Sequence, residues 1–118
     1  MLHMATLLHG PENCAAVHPE IGAMARSGFG RMDAVATRHG VSVQGAWSNP
    51  TGHVFYVLAD APSAHAINAV MVELQLFHWN TVEIHPIVTV EEALSLSAHE
   101  SGESQTERRQ RDRLPFQT

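Results

Sequence analysis

A chain of 118 residues with a 44% hydrophobic share and a net charge of −5 is long enough for one packed domain and too acidic for a nucleic-acid partner. No apolar run approaches the length of a membrane span, and the first residues lack the charged start and long apolar region of a secretory leader, so the expectation is a cytoplasmic protein. One cysteine cannot close an internal disulfide, in keeping with a reducing compartment.

Residues 2–9 are mostly apolar and read as a central strand buried on both faces. Gly10-Pro11 ends it, and residues 10–18 form a loop that holds Glu12, Cys14 and His18. Pro19 suits the first turn of a helix, where its missing N–H costs nothing, and Glu20 favours the same end through the helix dipole. Ile21, Met24, Ala25, Gly28, Met32 and Val35 recur at spacings of three and four and give that helix one apolar face. Ser27-Gly28-Phe29-Gly30 weakens its middle enough to kink or split it, and Gly40 after His39 is its expected C-cap.

Val41 to Trp47 reads as a second strand, Asn49-Pro50-Thr51-Gly52 as a turn, and His53 to Leu58 as a third strand, together a hairpin. Asp60-Ala61-Pro62-Ser63 is a loop with Ser63 as N-cap candidate. Ile67, Val70, Met71, Leu74 and Phe77 mark a second helical stripe that ends by Asn80. Thr81 to Val88 is the last strand, with Pro86 pointing to a sheet edge or bulge, and Val90 to Leu96 a short helix. From Ser97 the chain turns polar and carries Arg108, Arg109, Arg111 and Arg113 ahead of Leu114-Pro115-Phe116, so the expected division is a domain over 1–96 and a tail over 97–118.

The order strand, helix, strand, strand, helix, strand is the split βαβ, or ferredoxin-like, arrangement: an α+β fold whose four-stranded antiparallel sheet carries its helices on one face. The other face is left bare, which leads to the expectation of a sheet-to-sheet homodimer.

Nine histidines are many for this length, and the topology sorts them. The end of strand one, the start of helix one, the hairpin turn, the end of helix two and the start of strand four share one end of the sheet. His9, Cys14, His18, His53 and His78 fall on those segments, whereas His3, His39 and His65 fall at the opposite end. Strand one lies beside strand three in this arrangement, so His9 and His53 become cross-strand neighbours. His9, Cys14 and His53 then offer two nitrogens and one sulfur. That set suits zinc, copper or nickel rather than magnesium or calcium, and three protein ligands leave a position open. His18, His78 or Glu12 can supply a fourth ligand, or Glu12 can orient an imidazole from behind.

Plainer roles exist for each residue. His53 can cap a hairpin, Cys14 can pack as a small apolar group, His18 can serve only as a helix cap, and His78 can belong to core or interface. Without a metal, Cys14 and Glu12 are the candidate catalytic residues of an enzyme acting on a small organic molecule, the thiolate favoured by the helix start. Haem bound through one histidine is a third reading. Trp47 and Tyr56 are the aromatic candidates to line a cofactor pocket, or else core.

Gly45-Ala46-Trp47, the Phe55-Tyr56-Val57 strand and the closing Val82-Glu83-Ile84-His85-Pro86-Ile87-Val88 with an acidic helix after it resemble the dimeric α/β-barrel superfamily over roughly residues 1–96. Within it they look most like its small bacterial members. The resemblance implies a pocket between sheet and helices. Relatives there include small monooxygenases, haem-binding and haem-degrading proteins, and small nickel-binding proteins.

Overall fold

In a computed structural model, residues 1–101 are described, with side chains through residue 96. The expected tail beyond Ser101, with its four arginines and Leu114-Pro115-Phe116, lies outside the described residues. The strands are β1 (Leu2–Leu8), β2 (Ser42–Asn49), β3 (Val54–Asp60) and β4 (Thr81–Pro86). The helices are α1 (Pro19–Gly30), α2 (Met32–Arg38), α3 (Ala64–Glu73) and α4 (Val90–Ser101). Short 3-10 turns sit at Pro11–Asn13 and Leu76–His78. The chain falls into two compact units, Met1–Ile87 and a second that begins at Val88.

All four strands of the first unit pair antiparallel in the order β2-β3-β1-β4, the expected ferredoxin-like sheet. Alternation of side chains gives the sheet two different faces. On the helix side His3, Ala5 and Leu7 of β1 and Val57 and Ala59 of β3 are buried with Val35, Ala36, Ile67, Val70, Met71 and Leu74. Val82 and Ile84 of β4 pack against that core from the edge. The expectation of a β1 buried on both faces is corrected. Leu2, Met4 and Thr6 are only half-buried, because no element of this unit covers their side. Tyr56, Leu58 and the 55%-exposed Trp47 share that side. Pro86 closes β4 at the sheet edge, where its missing N–H breaks no ladder.

The expected long first helix is split. Gly28 packs so close to the next layer that an added Cβ would meet the Leu74 carbonyl and the Leu76 side chain, each at 3.1 Å. The turn at Arg31 follows, with φ −101° and ψ 1°, and its N–H is shared between the carbonyls of Ser27 and Gly28. Ser63 caps α3 by accepting from the Ala66 N–H at 3.3 Å. The second helical stripe needs correction at its end. α3 stops at Glu73, and Gln75 takes a left-handed backbone at φ 60°. That step shifts the helical phase, so Leu76 is fully buried and Phe77 is exposed.

In the second unit α4 runs five residues past the expected Leu96. Its start is capped by Thr89, whose hydroxyl accepts from the Glu92 N–H at 3.0 Å and donates to the Glu92 carboxylate at 3.1 Å. No helix among the described residues is long and apolar enough to cross a membrane.

One charged cluster ties α2 to α3. Glu73 accepts from His39 Nε2 at 3.1 Å and pairs with Arg38. The His39 hydrogen bond, followed by Arg38, holds the Glu73 carboxyl below its ordinary range. A carboxyl depressed by folding contributes stability that is complete above its unfolded value, about 4.3, and fades as pH falls through the folded value. The Glu73→Gln chain is therefore expected to be less stable than the parent near pH 6, with the difference shrinking toward pH 3 in denaturant titrations. A difference independent of pH would contradict the assignment.

Candidate metal centre

The pairing of β1 with β3 brings the site together. Leu8 lies opposite Val54, and one step beyond the ladder the His9 N–H donates to the His53 carbonyl at 3.2 Å. The two imidazoles are thereby held side by side, ring centroids 5.3 Å apart and planes crossed at 69°. Cys14 is delivered by the loop between β1 and α1. Its backbone is fixed at both ends: the N–H donates to the Pro11 carbonyl at 3.3 Å, and the Cys14 carbonyl accepts from Val17 and His18, each at 3.1 Å. One donor atom from each of His9, Cys14 and His53 lies within 4.8 Å of the other two. Among the described residues no other His, Cys, Asp or Glu side chains come together so closely in threes.

His53 is not the first residue of a strand, as the sequence suggested. It is the last residue of the turn, with its backbone in the left-handed region at φ 55°. Its N–H donates to the Pro50 carbonyl at 3.3 Å, and the turn before it is closed by Gly52 donating to the Asn49 side chain at 3.0 Å. A side chain with a Cβ is strained in this region, although histidine tolerates it better than most. The His53 Nδ1 is buried with no hydrogen-bond partner. A buried polar nitrogen without a partner costs free energy, and a lone pair aimed at a cation is one way to recover it.

Aromatic neighbours hold the His9 ring. Its centroid is 5.2 Å from that of Trp79 and 5.8 Å from that of Phe55. On the far side its Nδ1 lies 3.1 Å from the Asn80 side-chain oxygen. Asn80 is 8% exposed and in turn donates to the Leu76 carbonyl at 3.0 Å.

Two cavities meet at His9. One, of about 220 Å³, is bordered by His9, Cys14 and His53 together with Ala15, Pro50, Val54 and Phe55. The other, about 300 Å³, is bordered by His9, Glu12, Asn13, His78 and Asn80. Glu12 and His78 thus border a different cavity from Cys14 and His53, and both are exposed. The Glu12 carboxylate folds back over Gly10, where a Cβ would collide with it. His18 is exposed at the start of α1 and makes no side-chain cap bond. Trp47 and Tyr56 pair across β2 and β3 on the sheet face away from the helices, and neither borders the two cavities at His9. The aromatic residues at the site are Phe55 and Trp79, of which only Phe55 shares a strand with the residues singled out from sequence. Asn80 was legible as the end of a helix but not as a partner of His9. The signal available was a polar amide directly before a strand at the same end of the sheet.

A family described as "Domain of unknown function (DUF3303)" matches residues 15–101. Cys14 and His9 precede the matched segment, and His53 lies inside it. Comparison with curated proteins gives no match. Among solved structures, SCO4226 from Streptomyces coelicolor A3(2) is similar at 22% identity and a TM-score of 0.49, covering 74% of this chain and 96% of that one. A candidate transposase from Deinococcus radiodurans R1 is similar at 11% identity and a TM-score of 0.47, covering 86% and 89%.

The left-handed backbone at His53 carries its own prediction. His53→Gly relieves the strain and His53→Ala keeps it, so the glycine chain is expected to be the more stable by about 1 kcal/mol in thermal or denaturant unfolding. Equal stability of the two would contradict the turn geometry described.

Proposed function

We propose that this chain, which belongs to the DUF3303 family, binds one transition-metal ion through His9, Cys14 and His53. The observation that carries this reading is the convergence of three soft or borderline donors from three separate segments, with His53 also holding a buried Nδ1 that has no hydrogen-bond partner. A tetrahedral ion with bonds of about 2.0–2.1 Å to nitrogen and about 2.3 Å to sulfur needs donors about 3.3–3.6 Å apart. A limit of 4.8 Å leaves only a small closing movement, of a size that rotamer changes supply. Two imidazoles and a thiolate favour zinc, nickel or copper over the oxygen-seeking magnesium and calcium.

Three protein ligands leave a further coordination position, as in catalytic or sensing sites rather than closed structural ones. The cavity beside the three donors, walled by Ala15, Pro50, Val54 and Phe55, gives that position a small apolar room. At about 220 Å³ it is below the roughly 300–1,000 Å³ common for pockets of drug-sized ligands, so it matches an ion with a small co-ligand better than a macrocycle such as haem.

Titration of the metal-free chain with Zn²⁺ or Co²⁺ in a calorimeter is expected to give one ion per chain. His9→Ala, Cys14→Ser and His53→Ala should each weaken binding by at least about tenfold, the loss that even outer partners of a site produce. The Co²⁺ form should show sulfur-to-metal charge-transfer absorption that Cys14→Ser abolishes. Stoichiometric metal untouched by all three changes would remove the proposal.

A further inference from the structure

The hydrogen bonds around Asn80 decide which nitrogen of His9 is free. A backbone carbonyl only accepts, so the Asn80 atom 3.0 Å from the Leu76 carbonyl is the amide nitrogen. The amide oxygen is then the atom that faces His9 Nδ1 at 3.1 Å. An amide oxygen also only accepts, so the proton of the neutral His9 ring sits on Nδ1, and Nε2 carries the lone pair.

We propose that Asn80 is a positioning residue: its amide oxygen keeps the His9 proton on Nδ1 and commits Nε2 to the metal ion. The second half rests on the metal reading above, and the first half does not. The environment makes the arrangement hard to reverse. Asn80 is 8% exposed and anchored to the Leu76 carbonyl, so it cannot turn its amide round without leaving that carbonyl opposite another oxygen. Trp79 and Phe55 limit rotation of the His9 ring. Asn80 borders one of the two cavities that meet at His9, whereas Cys14 and His53 border the other. An imidazole carries its two nitrogens on different edges, so the nitrogen not held by Asn80 is the one left for the donor group. Outer partners of this kind fix ring orientation and typically change metal affinity 10–100-fold.

The test compares Asn80→Leu with Asn80→Asp. Leucine cannot accept from His9 and aspartate can; both lose the bond to Leu76, and aspartate also sets an oxygen opposite that carbonyl, a penalty that works against the expected result rather than for it. Long-range ¹H–¹⁵N correlation spectra of the metal-free chain, at a pH where His9 is neutral, report the tautomer directly. The parent and Asn80→Asp are expected to hold the proton on Nδ1. Asn80→Leu should shift to Nε2–H or to a mixture, with Zn²⁺ affinity at least about tenfold weaker than in Asn80→Asp. A parent His9 protonated on Nε2, or an Asn80→Leu chain with its tautomer unchanged, would overturn the inference. Because the parent spectrum needs neither variant nor metal, the test survives poor folding of Asn80→Leu. A tautomer that shifts as stated in a chain that binds no Zn²⁺ would support the Asn80 role and refute the metal site instead.

Discussion

The antiparallel register of β1 on β3 is the constraint on which the rim of the sheet depends. It pairs Leu8 with Val54 and carries the pairing one bond further, from the His9 N–H to the His53 carbonyl. A slip of one residue would send His9 to the opposite face and move Ala5 and Leu7 out of the core. The register is held because Ala5 and Leu7, both wholly buried, mesh with Val57 and Ala59 under the helices. Exposing a side chain of Leu7's size costs about 1.5–3 kcal/mol. The placement of two imidazoles is therefore guaranteed by aliphatic packing several residues away, not by the imidazoles themselves.

Around that register the local features at the rim run against stability. His53 has a left-handed backbone and a buried nitrogen with no partner. Cys14 sits in a loop whose carbonyls and N–H groups are spent holding its own shape. Strain and orphaned polar atoms gather at sites where a ligand or reaction makes use of them. Asn80 shows the opposite tendency, a buried amide with both ends engaged. The contrast between a saturated partner behind His9 and unsaturated donors in front of it gives the site its direction.

Much of this was legible in the chain. The alternation of strand and helix signals gave the ferredoxin-like order, and that order alone put His9, Cys14 and His53 on one rim with β1 beside β3. Pro86 at an edge, Ser63 as a cap and the weak middle of the first helix also followed from side-chain chemistry. What escaped were features set by phase and by tertiary contact. The left-handed residue after a four-residue turn moves the start of β3 to Val54, and period-two alternation does not mark such a step. The same kind of step at Gln75 exchanged Leu76 for Phe77 in the core. Trp47 and Trp79 look alike in sequence, but strand parity sends Trp47 to the open face, while the 3-10 turn folds Trp79 in beside His9. The helical run beyond Leu96 to Ser101 crosses residues whose polar composition carries no apolar periodicity.

The central claim is that one ion is held by two imidazoles and the single thiolate. X-ray absorption at the metal edge of the Zn²⁺-loaded chain measures this directly. The account predicts one sulfur scatterer near about 2.3 Å and at least two nitrogen scatterers near about 2.0 Å, with the imidazole multiple-scattering pattern. A first shell made only of oxygen and nitrogen, with no sulfur, would contradict it.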